Sequence, residues 1–280
     1  MNGLAQIHQA GIAALERPGQ ADVPIMCLHG FGSHAQSYGV MMEALRPGLR
    51  ALAWDMPGYG GSDALRMASP SAPDYAAALL NFLDACGLEQ VVLVGHSLGT
   101  LIAASMARRY PERVKALLLL SPTAGYGAAL GEAIPDVVAG RLNAFASEGA
   151  AAYAKARAAN LVYDPLHHAD VVASVARGMA ALRRDGFQQA GDMLARARIF
   201  DDLAKVQCPV LVAVGAQDKV TPPEKVAIIA ESAPPCWRIK SSLVLVPECG
   251  HALTQQRPLE AANLVAEVVD FLAASLNPAP

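Results

Sequence analysis

A serine placed to act as a nucleophile stands in the first half of the chain. Ser97 lies in the pattern Gly95-His96-Ser97-Leu98-Gly99, after four apolar residues at 91–94 and before a stretch of helical composition at 101–110. The apolar run predicts a strand buried on both faces. A turn from that strand into the helix is too sharp for side chains at its flanks, which explains the glycines. The helix start presents free N–H groups and the positive end of its dipole, as in a nucleophile elbow.

Two residues further along the chain can activate this serine. A serine hydroxyl is a weak nucleophile at neutral pH, so it needs a base to take its proton, and the base needs a partner that holds its tautomer. Asp218 directly follows a predicted buried strand at 208–215, and His251 directly follows another at 242–247. The order Ser97, acid, histidine is the order expected for a nucleophile elbow. We therefore expect Asp218 to orient His251 and His251 to act as the base.

Three other carboxylates compete with Asp218 for the role of the acid. Asp201 and Asp202 precede the strand at 208–215, so we expect them at the opposite edge of the sheet. Glu248 is close to His251 in the sequence, but it does not occupy the end of a separate strand. Asp218 is therefore the favoured acid.

The negative oxygen of a tetrahedral intermediate requires fixed hydrogen-bond donors. The backbone N–H of Leu98, at the start of the helix, is one candidate. The second donor is expected in the glycine-rich turn His29-Gly30-Phe31-Gly32, where the N–H of Phe31 is favoured. Together these two amides would form an oxyanion hole.

Residues around these turns are candidates for binding substrate. Gly30 and His96 adjoin the expected oxyanion donors, and Trp54 ends the strand at 50–54. For Trp54, ordinary packing in the core is an equal possibility. His29 and His96 are expected to shape the loops of the site rather than to transfer protons.

The stretches that carry these residues alternate between strand and helix patterns. Apolar runs predict strands at 24–28, 50–54, 91–94, 114–120, 208–215 and 242–247. Helical patterns occupy 37–45, 74–86, 101–110, 223–232 and 259–276, and residues 5–17 indicate an antiparallel edge hairpin. This alternation predicts an α/β fold with a mostly parallel sheet covered on both faces. Ligands bind such sheets beyond the carboxyl ends of the strands, where the glycine-rich turns fall.

The composition narrows the class of protein. Of the 280 residues, 53% are hydrophobic and 17% are charged, which argues against disorder, and the net charge of −3 argues against nucleic acid as the main partner. No apolar run reaches membrane-spanning length, and the first residues lack the basic and apolar regions of a secretory signal. The five cysteines are odd in number and scattered. We expect them to be buried thiols of a cytoplasmic protein.

The segment 123–200 has a different texture. Alanine and arginine dominate it and strand patterns vanish, so it reads as a helical insertion that divides the core into residues 1–122 and 201–280. Its arginines could select anionic substrates, although helical arginines are more often solvated. The pair His167-His168 has no third ligand at a helpful spacing, so we expect no metal.

Five motifs together resemble the α/β-hydrolase fold superfamily: His29-Gly30-Phe31-Gly32, the stretch 55–62, Gly95-His96-Ser97-Leu98-Gly99, the stretch 215–218 and Gly250-His251. The resemblance covers residues 24–122 and 205–275. It implies an eight-stranded, mostly parallel sheet with helices on both faces and a helical cap at 123–200. It also assigns Ser97 as nucleophile, Asp218 as acid and His251 as base.

Within the superfamily, the chain is most similar to capped bacterial hydrolases: enol-lactonases, carboxylesterases, carbon–carbon hydrolases of aromatic catabolism and cofactor-free haloperoxidases. A serine at 97 argues against the branches with an aspartate nucleophile, the haloalkane dehalogenases and epoxide hydrolases. Carbon–carbon hydrolases often carry Asn before the nucleophile and Trp after the histidine, where this chain has His96 and Ala252. The carbon–carbon reaction is therefore less favoured.

We accordingly expect a serine hydrolase that cleaves a small carboxylic ester or lactone through an acyl-enzyme on Ser97, without a cofactor or metal. Carbon–carbon bond hydrolysis, peroxide-dependent peracid formation and small-molecule reception with slow turnover stay open, as does the oligomeric state. His251 must be neutral to act as a base. Activity should therefore fall when acid protonates that ring.

Overall fold

One sheet runs through the computed structural model, which describes residues 3–240 and 243–276. Its eight strands are β1 (Ala5–Gln9), β2 (Ile12–Arg17), β3 (Ile25–Leu28), β4 (Ala51–Trp54), β5 (Val91–His96), β6 (Val114–Leu120), β7 (Val210–Gly215) and β8 (Val244–Val246). The order is β1-β2-β4-β3-β5-β6-β7-β8, and only the β1–β2 and β2–β4 pairs are antiparallel. The expected eight-stranded, mostly parallel sheet is confirmed. Residue 242, the predicted start of the last strand, lies outside the described residues.

Alternate residues of the central strands face two separate apolar layers. In β3, Ile25 and Cys27 pack on one side of the sheet, whereas Met26 and Leu28 pack on the other. All four side chains are fully buried. Successive side chains of a strand point to opposite faces, so a strand covered by helices on both faces is apolar throughout.

Helices cover both faces of the sheet. Their bounds are α1 (Gly39–Ala44), α2 (Ala72–Ala85), α3 (Gly99–Arg109), α4 (Asp136–Arg157), α5 (Ala169–Ala180), α6 (Arg184–Arg196), α7 (Ile199–Leu203), α8 (Pro223–Ser232), α9 (Leu253–Gln256) and α10 (Pro258–Leu276). Helices α1 and α10 contribute to one apolar layer, and α2, α3 and α8 contribute to the other. Among the helices in the described residues, none combines the length and apolarity needed to cross a membrane.

Local hydrogen bonding explains where the first two helices depart from their predicted bounds. Helix α2 begins two residues before the predicted start at 74, since the N–H of Ser71 donates to Asp74 Oδ2 at 2.8 Å and Pro73 occupies the first turn. Helix α1 is shorter than predicted, because a 3-10 turn at Ala35–Tyr38 precedes it.

The predicted edge hairpin is present as β1 and β2. The two residues between the strands, Ala10 and Gly11, have φ of +49° and +77°. Positive φ at both central residues is what a two-residue turn needs to match the twist of the paired strands.

Helices α4, α5 and α6 lie between β6 and β7, within the segment predicted as a cap. Helix α4 is broken at Gly149, where φ is +80° and ψ is +164°. Helix α6 packs backbone to backbone against the loop that follows β4. A Cβ at Gly58 in that loop would lie only 2.5 Å from Gly186 Cα in α6. The division of the chain at 123 and 200 stays a prediction.

Candidate active site

Ser97 sits on a sharp turn between β5 and α3. Its φ is +51°, in the left-handed region that few residues other than glycine adopt. A Cβ at Gly95 would lie 2.9 Å from the carbonyl oxygen of Gly99, and a Cβ at Gly99 would collide with the carbonyl oxygen of Leu28. Both glycines are therefore required for the turn to close, and the turn holds Ser97 at the carboxyl end of a central strand.

Asp218 and His251, which follow β7 and β8, meet beside this turn. His251 Nδ1 lies 2.8 Å from Asp218 Oδ2, and both side chains are buried. Burial alone would raise the pKa of Asp218, but the charge and hydrogen bond of His251 and the N–H of Thr221 outweigh it and hold that pKa at about 2. Asp218 is thus a carboxylate, so Nδ1 of His251 carries the donated proton. The other ring nitrogen, Nε2, keeps the lone pair that a general base needs.

The glycine-rich turn after β3 lies against the serine. A Cβ at Gly30 would approach Ser97 Cβ to 3.0 Å, so only glycine fits without displacement. The hydroxyl of Tyr59 donates to the carbonyl oxygen of Phe31 at 2.7 Å and fixes the turn. The N–H groups of Phe31 and Leu98 donate no hydrogen bond to any residue within 3–240 or 243–276. Both are free for an oxyanion.

A cavity of about 130 Å³ opens over these residues. Gly30, Phe31, His96, Ser97 and His251 all line it, as the sequence predicts for a shared site. Ser97 and His251 are not hydrogen-bonded to each other through their side chains within the described chain, a geometry common in hydrolytic sites without substrate.

Trp54 requires a correction. The sequence offers it as a candidate for binding substrate, but it does not line the cavity. It is fully buried in β4, within the apolar layer under α2 and α3. The structure therefore places it in the core.

A family model for the alpha/beta hydrolase fold matches residues 23–256. The chain belongs to this family. The chain is also similar to the 2-hydroxymuconate semialdehyde hydrolase of Pseudomonas sp. (strain CF600), which is 29% identical over 96% of this chain and 93% of its own length.

Solved structures share the fold of this alpha/beta hydrolase. A thermophilic esterase from Thermogutta terrifontis has a TM-score of 0.81 at 22% identity, covering 96% of this chain and 98% of its own. The enol-lactonase from Burkholderia xenovorans LB400 has a TM-score of 0.80 at 18% identity, covering 95% of this chain and all of its own.

Thr221 is a residue of the hydrolase site that the sequence analysis missed. Its N–H donates to Asp218 Oδ1 at 3.0 Å, and its hydroxyl donates to Asp218 Oδ2 at 2.9 Å. The N–H of Val220 donates to the same Oδ1 at 2.8 Å. An aspartate followed closely by threonine before proline is a pattern typical of a side chain that caps its own turn, and this signal could have identified Thr221.

Two further side chains hold the His251 loop of the hydrolase. His96 Nε2 donates to the carbonyl oxygen of His251 at 2.7 Å. Burial and the neighbouring His251 charge lower the pKa of His96 to about 3, so its ring is neutral. Gln256 Oε1 accepts the N–H of Gly250 at 2.9 Å and that of Tyr163 at 3.0 Å. Gln256 thereby ties this loop to the segment between α4 and α5.

Aromatic rings connect the turn after β3 to helices α4 and α6. The ring of Phe31 stacks on that of Phe187 with centroids 4.1 Å apart, and Phe187 lies 4.4 Å from Phe145. Tyr153 packs edge-on against Phe187 at 5.3 Å. Helices α4 and α6 thus support the turn that carries one expected oxyanion donor.

The predicted acid rivals and the histidine pair lie elsewhere. Asp202 pairs with Arg108 at 2.8 Å, away from the cavity. His167 pairs with Asp164 at 2.8 Å on an exposed turn. No group of three or more His, Cys, Asp or Glu side chains in the described residues is arranged to hold a metal ion.

Proposed function

We propose that this hydrolase cleaves a small carboxylic ester or lactone through an acyl-enzyme on Ser97. The observation that carries the proposal is the 2.8 Å hydrogen bond between His251 Nδ1 and Asp218 Oδ2, beside a cavity that Ser97 also lines. The hydrogen bond fixes the tautomer that leaves His251 Nε2 free to take a proton.

The reaction follows from these positions. Ser97 Oγ attacks the carbonyl carbon while His251 Nε2 accepts the hydroxyl proton. The N–H groups of Phe31 and Leu98 stabilise the negative oxygen, and Gly30 allows the substrate to approach between them. His251 then protonates the leaving oxygen, activates a water molecule against the acyl-enzyme, and returns the proton to Ser97.

Hydrolysis of a carbon–carbon bond is the second candidate. It is favoured by the similarity to 2-hydroxymuconate semialdehyde hydrolase, which extends over nearly the whole of both chains. The same three side chains would serve, but the carbonyl attacked would be that of an aldehyde or ketone rather than an ester. His96 and Ala252, which stand where carbon–carbon hydrolases often carry Asn and Trp, favour the ester or lactone.

The test compares turnover of p-nitrophenyl acetate, a short lactone and 2-hydroxymuconate semialdehyde. Ser97→Ala should lower turnover by several orders of magnitude, because the nucleophile is lost. Ser105→Ala is a matched control, since that hydroxyl is buried on α3 and has no hydrogen-bond partner among the residues that the structure describes. A phosphonate probe should label the wild type at Ser97 only.

Retained esterase activity in Ser97→Ala, with wild-type thermal unfolding, would overturn the proposal. Fast turnover of the semialdehyde with negligible ester turnover would instead support the carbon–carbon reaction. A single stoichiometric release of p-nitrophenol, with none following, would indicate a receptor.

A further inference from the structure

Two arginines of the inserted segment face the catalytic cavity. Arg141 and Arg157 both lie on α4, are half-buried, and line the cavity together with Ser97 and His251. Neither forms an ion pair or a side-chain hydrogen bond with any residue of 3–240 or 243–276. The guanidinium carbon of Arg157 lies 5.0 Å from the centre of the Tyr153 ring.

Two other arginines of the segment donate hydrogen bonds to the protein itself. Arg183 donates to the carbonyl oxygens of Gly60 and Ser62 at 3.0 Å. Arg196 donates to the carbonyl oxygen of Ala129. Arg141 and Arg157 differ from these two because their guanidinium groups donate no hydrogen bond to an acceptor in the described part of the protein.

The wall around the two guanidinium groups is positive. None of the residues that line the cavity is an aspartate or glutamate. Asp218 accepts hydrogen bonds from His251 and Thr221 behind the cavity. Burial raises the pKa of Tyr153, while the positive charges of Arg157 and Arg141 oppose that rise. Half-buried charge without a counter-ion is unfavourable, so an anion entering the cavity would gain from both arginines.

The break in α4 brings the two arginines to one cavity. Arg157 follows Arg141 by sixteen positions, a distance of about 24 Å along an unbroken helix. Gly149 interrupts the helix between them with φ of +80° and ψ of +164°. The chain changes direction at that point, and each half of α4 contributes one arginine to the lining of the cavity.

We propose that Arg141 and Arg157 bind a carboxylate carried by the substrate, at the end remote from the carbonyl that Ser97 attacks. The substrate class is then a half-ester of a short dicarboxylic acid, or a small lactone that bears a free carboxylate group. A planar guanidinium matches a carboxylate bidentately. A cavity of about 130 Å³ accommodates only a short acyl chain between the two groups, since a cavity of about 150 Å³ holds one benzene ring. The inference rests on the proposed function, because it concerns the same site.

The first test compares ethyl hydrogen glutarate with ethyl pentanoate by pH-stat titration. The two acyl chains have equal length, and a methyl group replaces the carboxylate in the second. The wild type should prefer the charged ester. Arg141→Gln and Arg157→Gln should each lower kcat/KM for the charged ester about 10- to 100-fold, the usual effect of losing a charged hydrogen bond, and change the neutral ester little.

Arg184→Gln is the matched control. Arg184 begins α6 on the same insertion, is exposed, and does not line the cavity. This variant should keep the wild-type preference. Arg141→Lys should recover part of the preference, because it restores charge without the planar fork.

The second test measures binding of glutarate to the Ser97→Ala protein by calorimetry, so it does not depend on turnover. Adding Arg141→Gln or Arg157→Gln should weaken glutarate binding about tenfold or more. Absence of glutarate binding, equal losses for both esters in the arginine variants, or tighter arginine-dependent binding of inorganic phosphate would each overturn the carboxylate site. Ester turnover that survives in Ser97→Ala would overturn the proposed function instead.

Discussion

The histidine after β3 makes the stability of this hydrolase sensitive to acid. His29 is fully buried; its Nδ1 donates to the carbonyl oxygen of Gly30 at 2.9 Å, and its Nε2 accepts the N–H of Met56 at 3.0 Å. Both ring nitrogens are therefore satisfied only in the neutral tautomer. Protonation would set an N–H at Nε2 against the N–H of Met56.

The pKa of His29 fixes the size of the effect. Burial lowers it from 6.5 to about 4; the charge of Asp55 and the hydrogen bond to Gly30 oppose that fall, and His34 adds to it. As the pH drops below 6.5, His29 becomes protonated in the unfolded chain, whereas in the folded protein it stays neutral until about pH 4. Acid therefore favours unfolding across that window. The free energy of unfolding should fall by about 2 kcal/mol between pH 7 and pH 5 from His29 alone.

The assay is urea unfolding of the wild type and His29→Gln at pH 7, 6 and 5. A glutamine oxygen can accept the Met56 N–H but does not titrate. The variant should therefore lose about 2 kcal/mol less than the wild type over this range, whatever its stability at pH 7. His8→Gln, at an exposed position of β1, should lose as much as the wild type. Equal losses in wild type and His29→Gln would refute the reasoning.

Three substitutions test other parts of the site. Asp218→Asn should lower kcat about ten thousandfold with little change in thermal unfolding, because a neutral amide no longer selects the basic tautomer of His251; a loss below tenfold would contradict this role. Gly99→Ala forces a methyl group against the Leu28 carbonyl and should cost about 1–3 kcal/mol in urea unfolding, whereas an unchanged midpoint would show that the turn can relax. Phe187→Ala removes a buried ring and should lower the free energy of unfolding by about 3–5 kcal/mol, with ester turnover falling in parallel. Full activity would show that the Phe31 turn does not depend on its contact with Phe187.

Local sequence patterns were enough to predict which residues come together at the candidate active site. Continuous apolar runs mark strands buried on both faces, and parallel strands bring their carboxyl ends to one edge. Asp218 and His251 could thus be placed together although 32 residues separate them, and the structure joins them at 2.8 Å. The glycines on either side of Ser97 also predicted a sharp turn, and the structure leaves no room for a Cβ at Gly95 or Gly99.

Contacts between side chains remote in the sequence could not be predicted in this way. Gln256 bonds to the backbone of Tyr163, which periodicity does not reveal. Trp54 ends a strand that points toward the site. The face of the sheet on which its side chain lies depends on the register of β4 with the neighbouring strands. The break at Gly149 was equally hidden, because an isolated glycine in a helical pattern is usually tolerated as helix.

The stacked rings of Phe31 and Phe187 limit how substrate preference in this protein can be redesigned. Exchanging the inserted helices for those of another hydrolase would change the walls of the cavity and, at the same time, remove the surface on which the Phe31 turn rests. A grafted segment must therefore bring an aromatic or equally bulky group to the position of Phe187. Changes at these two positions should succeed as pairs and fail singly.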